Sequence, residues 1–349
     1  MPIPVVWSSE TRRHEPMREV WVGVPTDGTE VPLRVDRILD ALADHPRVEA
    51  QAHDDDVLRR VHAPELVDHL ATIHAEWMAG PYEELVGQDR VVPYVFPTAA
   101  MTQGMPPTRA AATHGRAGQF GYDTMTLVGP GTWEAARAAV DCALTAADLV
   151  TRDGETTAYA LCRPPGHHAT RDGYGGSCYL NNTAVAAQAL RDSGHPSVAV
   201  VDLDAHHGNG TQAIFWERGD VRYASLHVDP AAGWFPHFFG HAHETGTGAG
   251  EGATKNLPLA EGTGDGPWLD AVRELSDFAA GADALVVSLG VDAAADDPES
   301  PLQVTSDGYA AAGRLLGSLG LPAVVVQEGG YHLDTIGGLV AAYLDGHAG

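Results

Sequence analysis

SVAVVDLDAHHGNG, residues 197–210, is the stretch on which the fold turns. It begins as a short valine-rich run and ends in Asp202, Asp204 and His206, followed by Gly208 and Gly210. A brief apolar run closed by polar residues and glycine reads as a strand buried on both faces. The same pattern returns in AYALC (158–162), VRYASLH (221–227), DALVVSLG (283–290) and AVVVQEGG (323–330). Between these runs lie helical stretches at 132–150, 181–194, 267–281 and 306–320. Thr132 and Ser306 are expected as N-caps, with Glu134 and Asp307 favouring the first turns. Strand–helix alternation predicts one α/β domain over residues 1–349, with a mostly parallel central sheet flanked by helices on both faces. The ligand site of such a sheet lies beyond the carboxyl ends of its strands.

Composition narrows the class. The chain has 349 residues, 44% of them hydrophobic, enough for a large core. Its formal charge is −26, and Lys255 is its one lysine. Such a surface repels nucleic acid and attracts small cations. No apolar run suits a membrane span and no signal peptide is read at the start. Cys142, Cys162 and Cys178 are too few and too oddly spaced for a disulfide framework, so a reducing, cytoplasmic setting is expected. The segment from Gly80 to Gly131 is rich in proline and glycine and poor in periodicity, and reads as a long loop insertion. Lid, dimerisation arm and linker are all open; an ordered arm is favoured because Tyr94, Phe96 and Phe120 would be wasted in solvent.

The strand ends carry the chemistry. His167 and His168 follow the first run behind a Pro-Pro-Gly turn. Asp202, Asp204 and His206 follow the second, Asp292 the fourth, and Glu328 and Tyr331 the fifth. Side chains at i and i+2 share a face, so Asp204 and His206 can reach one cation, with Asp292 as a third ligand. Two carboxylates and one imidazole leave a position open, as a catalytic zinc requires, although Fe(II) and Mn(II) accept the same donors. Gly208 and Gly290 stand where further ligands would be, so one metal ion is expected rather than two. The two histidines offer a base for an activated water and an acid for a leaving amine. Asp202 and Asn209 are candidates to orient them, and Tyr331 to donate to an oxyanion. Together these residues predict metal-assisted hydrolysis of an amide.

RPPGHHA, GSCYLNN, VDLDAHHGNGTQ, SLHVDP, GVDAAADDP and EGGY resemble, in order and spacing, the motifs of the histone deacetylase superfamily. HHGNGTQAIFWERGDVRYASLHVDP and EGATKNLPL look most like the bacterial acetylpolyamine amidohydrolases within it. The resemblance implies the arginase/deacetylase-like fold and zinc held by Asp204, His206 and Asp292. It implies that His168, paired with Asn209, is base and then acid, that His167, paired with Asp202, is its electrostatic companion, and that Tyr331 polarises the acetyl carbonyl. It also implies structural potassium, one ion near Asp202, Asp204, His206, Ser225 and Leu226, the other near the carbonyls of Phe215, Arg218 and Val221. A homodimer through the 80–131 arm is implied as well.

Some positions depart from that pattern. Ser177, after Gly176, replaces an aromatic tunnel wall, leaving Trp234 and Phe235 on the other side. Between Val91 and Phe120 there is no carboxylate, but there are Arg109 and Arg116. The resemblance places Glu299 where a polyamine-selective relative carries a glutamate, and a carboxylate there could select a cationic amine over a neutral peptide; a solvated loop residue is the alternative. The expected substrate is therefore a small cationic acetylated amine, an acetylpolyamine first. Acetyl-lysine peptides or another acylated metabolite are the alternative, and an inactive metal-containing scaffold is more remote. Ureohydrolase chemistry is disfavoured by Gly208 and Gly290.

Overall fold

The computed structural model describes residues 2–80, 89–106 and 108–349. The strands among these described residues are β1 Val5–Trp7, β2 Arg18–Trp21, β3 Val24–Asp27, β4 Arg47–Glu49, β5 Thr157–Ala160, β6 Val198–Asp202, β7 Val221–Val228, β8 Thr254–Leu259, β9 Ala284–Leu289 and β10 Ala323–Gln327. The α-helices among the described residues are α1 Leu33–Ala41, α2 Asp56–Val61, α3 Pro64–Met78, α4 Ala99–Thr102, α5 Thr113–Phe120, α6 Thr132–Thr151, α7 Asn182–Asp192, α8 Asn209–Phe215, α9 Asp265–Ala279, α10 Ser306–Gly317 and α11 Ile336–Ala348. Eight strands form one sheet in the order β4-β1-β5-β10-β9-β6-β7-β8, every pairing parallel. The exception is the β2–β3 antiparallel hairpin, which stands outside it.

The period-two alternation of each strand divides the core. Ala158, Val200, Tyr223, Val286 and Val326 pack on one face with α3, α6 and α7. Tyr159, Val201, Leu226, Val287 and Val325 pack on the other with α1, α9, α10 and α11. Both faces are covered, which is why the strands read as unbroken apolar runs. The four runs that end in reactive residues are the adjacent strands β5, β10, β9 and β6, so their carboxyl ends meet at the middle of the sheet.

Two helix starts differ from expectation. The cap of α6 is Gly131, at φ 78°, and Thr132 lies inside the helix with its hydroxyl accepting from Gly129 N–H. The cap of α10 is Thr305, not Ser306; its hydroxyl accepts from Gly308 N–H. In both, the residue one position earlier has the non-helical backbone that a cap needs. Glu134 and Asp307 do lie in first turns. Within the expected insertion, 81–88 and Pro107 lie outside the described residues. The remainder forms α4 and α5, anchored by an antiparallel bridge between Val91 and Val128. Among the described residues no helix is long and apolar enough to cross a membrane.

Candidate metal centre and its histidine pair

Ligand atoms of Asp204, His206 and Asp292 lie within 4.8 Å of one another. His206 Nδ1 is 3.3 Å from Asp204 Oδ1 and 3.0 Å from Asp292 Oδ2. Donors about 2.0–2.1 Å from a tetrahedral ion stand roughly this far apart. The carboxylates are held by main-chain donors: Gly329 N–H to Asp204 Oδ2 at 2.8 Å, and Ala205 N–H to Asp292 Oδ1 at 2.8 Å. Burial and the charge of Asp204 push the Asp292 carboxyl upward. A divalent cation between them would relieve that crowding, so the donor set fits one. A methyl group at Gly290 would stand 2.1 Å from Asp204 Oδ2, and one at Gly208 2.3 Å from Asp202 Oδ2. Neither position has room even for alanine without movement, let alone for another ligand.

The chain bends after Pro165, and both imidazoles turn to the same side, their centroids 4.0 Å apart. His167 Nδ1–H donates to Asp202 Oδ2 at 3.1 Å, and His168 Nδ1–H to Asn209 Oδ1 at 2.8 Å. Asn209 comes from the first turn of α8, so the stretch 202–209 supplies both partners and two of the three candidate metal ligands. The partners make the rings chemically different. Burial works against a charge on His167, but Asp204 and Asp202 outweigh it and push its pKa up to about 10. Burial, then the charges of His167 and His206, hold His168 well below the ordinary imidazole value. The surroundings thus favour a proton on His167 and disfavour one on His168, whose bond from Nδ1 to Asn209 leaves Nε2 free.

Phe235 stands edge-on to His168, centroids 4.7 Å apart and planes at 89°. Opposite it, Gly176 and Ser177 form a tight turn between Gly175 and Cys178, with φ of 58° and 61°. Asp123 Oδ2 and Thr126 Oγ1 accept from the N–H groups of Gly176 and Ser177 at 2.6 and 2.8 Å, holding that turn. Trp234 is engaged elsewhere: its indole N–H donates to Glu261 at 3.1 Å and its ring packs on the core. Tyr331 N–H donates to Asp297 Oδ2 at 2.7 Å, and the Arg34 guanidinium lies 5.0 Å above its ring. Burial pushes the phenol pKa well up, so its O–H remains a donor.

Glu299 accepts from Thr29 Oγ1 at 2.9 Å. Glu19, on β2, is pushed up to about 7 by burial and by Glu299, Glu30 and Asp123. The β2–β3 hairpin thus brings a second carboxyl to the Glu299 side of the site. Arg116 is not free: it is ion-paired with Glu76.

Of the residues expected around potassium, Asp202 accepts from Tyr223 O–H at 3.1 Å and pairs in register with Ser225 on β7. Ser225 Oγ lies 2.8 Å from His227 Nδ1, and Leu226 is buried beside it. Phe215 ends α8, its carbonyl accepting from Arg218 N–H at 2.9 Å, and Val221 opens β7. Arg218 turns its guanidinium to Asp220.

The reading of the sequence passed over a buried framework behind the site. Glu30 pairs with Arg34 at 2.7 Å and with Arg163 at 2.9 Å. Arg34 also donates to the carbonyls of Glu328 and Gly330, each at 2.6 Å. An acid four residues before an arginine ordinarily marks a solvated helix face. Nothing local distinguishes this pair except its place just after the exposed hairpin.

Residues 29–346 match the histone deacetylase domain. The acetylpolyamine amidohydrolase of Mycoplana ramosa is 41% identical over 99% of this chain and 99% of its own. Acetylpolyamine amidohydrolase 1 of Pseudomonas aeruginosa is 40% identical over 99% and 98%. The crystal structure of an acetylpolyamine aminohydrolase from Burkholderia pseudomallei superposes with a TM-score of 0.91 at 38% identity, covering 99% of this chain and 98% of that one. With its parallel sheet, convergent strand ends and full-length likeness to these enzymes, the chain belongs to the histone deacetylase family.

Proposed function

We propose that the protein hydrolyses the acetyl amide of small N-acetylated amines, acetylpolyamines foremost. The observation that carries this is a histidine pair whose Nδ1 partners differ, Asp202 for His167 and Asn209 for His168, beside a three-ligand metal set. Full-length likeness to acetylpolyamine amidohydrolases supports the substrate class.

A bound divalent cation, zinc before iron(II) or manganese(II), supplies Lewis-acid activation of water and carbonyl. Asp204, His206 and Asp292 would hold it. His168 takes the proton of the attacking water at Nε2, then delivers it to the departing amine nitrogen. Asn209 fixes the tautomer that leaves Nε2 free. His167, kept cationic by Asp202, steadies the negative charge that develops. Tyr331 O–H donates to the carbonyl oxygen as it gains charge. Phe235 shields one side from water, and the acidic residues favour an ammonium over a neutral chain.

The reading extends to a structural potassium at Asp202, Asp204, His206, Ser225 and Leu226, and a second near Phe215, Arg218 and Val221. It places the enzyme in the cytoplasm. It also makes residues 80–131 an arm inserted in the single domain that joins two copies. Exposed Tyr94, Met101 and Met105, and an apolar depression of about 400 Å³ lined by Val95, Pro97, Met101 and Met105, support the last point. A second reading, acetyl-lysine peptides, is favoured by Ser177 alone, whose small side chain leaves one wall open. Turnover of acetylputrescine, acetylspermidine and an acetyl-lysine peptide, on protein loaded separately with zinc and iron, separates the two. A strong peptide preference would reject the polyamine substrate, and no turnover of any would reject the deacetylase.

A further inference from the structure

Glu328 is wholly buried, and the chemistry above makes no use of it. Its carboxylate receives four hydrogen bonds, all from groups that donate. Gly166 N–H and His167 N–H reach Oε2 at 2.6 and 3.1 Å. Thr183 and Ser288 hydroxyls reach Oε1 at 2.7 and 3.2 Å. Two of these donors are the main-chain N–H groups of the very turn that sets the histidine pair. The other two come from α7 and β9, which fix the carboxylate from behind. Its own carbonyl is held by Arg34. A ligand atom of His167 and one of Glu328 also lie within 4.8 Å of each other. Four converging donors suit an anion and leave no acceptor for a proton on Oε2.

We infer that Glu328 is the positioning residue of the histidine pair: an anionic anchor under the Gly166–His167 turn that sets the aim of both rings. It touches no substrate and acts only through the turn. The idea rests on the deacetylase reading, and the parent enzyme is therefore the control.

Glu328→Gln separates anchor from bulk. Its amide oxygen can face the two N–H groups while its NH₂ donates to the hydroxyls, so the shape is retained and the charge-assisted bonds are lost. Zinc-loaded Glu328→Gln, assayed on acetylputrescine, should lose about tenfold in kcat with KM within about twofold, because charge-assisted bonds are about twice as strong as neutral ones. Metal content per chain should not change. Thr183→Val and Ser288→Ala, each removing one donor, should lower kcat by smaller factors at constant KM. The imidazole ring NMR signals of His167 and His168 should move in metal-free Glu328→Gln. A residue needed for folding alone would lower the yield of folded protein and leave kcat per loaded site, and the ring signals, unchanged. That result overturns the inference, as does a KM rise equal to the kcat loss. Should Glu328→Gln fail to fold, the two hydroxyl variants decide by the same criterion. An inactive parent would reject the deacetylase instead, and the ring signals would still test the anchor.

Discussion

At the scale of the residue, the proposed mechanism gives two adjacent imidazoles opposite tasks, because their Nδ1 partners differ, aspartate for one and asparagine for the other. His168→Ala should cost about 10²–10⁴ in kcat, the usual worth of a positioned acid–base group, and steady-state kinetics on acetylputrescine would show it. Asn209→Asp gives His168 an anionic partner and raises its pKa; the acid limb of the kcat profile should then shift to higher pH. Glu19 supplies a third expectation. Its carboxyl, raised to about 7, is neutral below that pH and charged above it. KM for a cationic substrate should therefore fall as pH rises through 7, and Glu19→Gln should flatten the curve. The same sign applies to folding: a raised carboxyl pKa lowers stability as pH rises from the ordinary glutamate value towards 7. Glu19→Gln should thus gain stability at pH 8 relative to pH 5 in denaturant titrations.

At the scale of the element, the parallel sheet and its reactive strand ends were legible because β5, β6, β7, β9 and β10 are buried on both faces and so mostly apolar. β1 and β4 have three residues each, too few for a period to register. The hairpin strands are largely exposed and pair outside the main sheet, so nothing in the sequence aimed Glu19 at the site. Asp204 and His206 could be paired from their i, i+2 spacing at one strand end, and Asp292 meets them from the end of another. The Glu30–Arg34–Arg163 framework could not, since its partners are distant in sequence and join only through the tertiary fold. Gly290, directly after β9, sets a further expectation. A methyl group there meets Asp204 at 2.1 Å, so Gly290→Ala should displace that ligand and lower zinc retention on dialysis.

At the scale of the whole molecule, the −26 charge is a field rather than a site. Raising salt should lower kcat/KM for acetylspermidine and leave a neutral acetamide nearly unaffected, since screening acts on charged partners. If the arm joins two copies, Met101→Asp should yield monomers by sedimentation. One further feature concerns how the enzyme comes into being. Arg34 Nε donates to the carbonyl of Gly330, 296 residues further on. The guanidinium that steadies the EGGY turn is thus translated long before the turn, and the turn is braced only once the two distant segments have met. Two separately expressed halves, cut in a surface loop between these segments, should each be inactive on acetylputrescine, because neither holds both the brace and the turn.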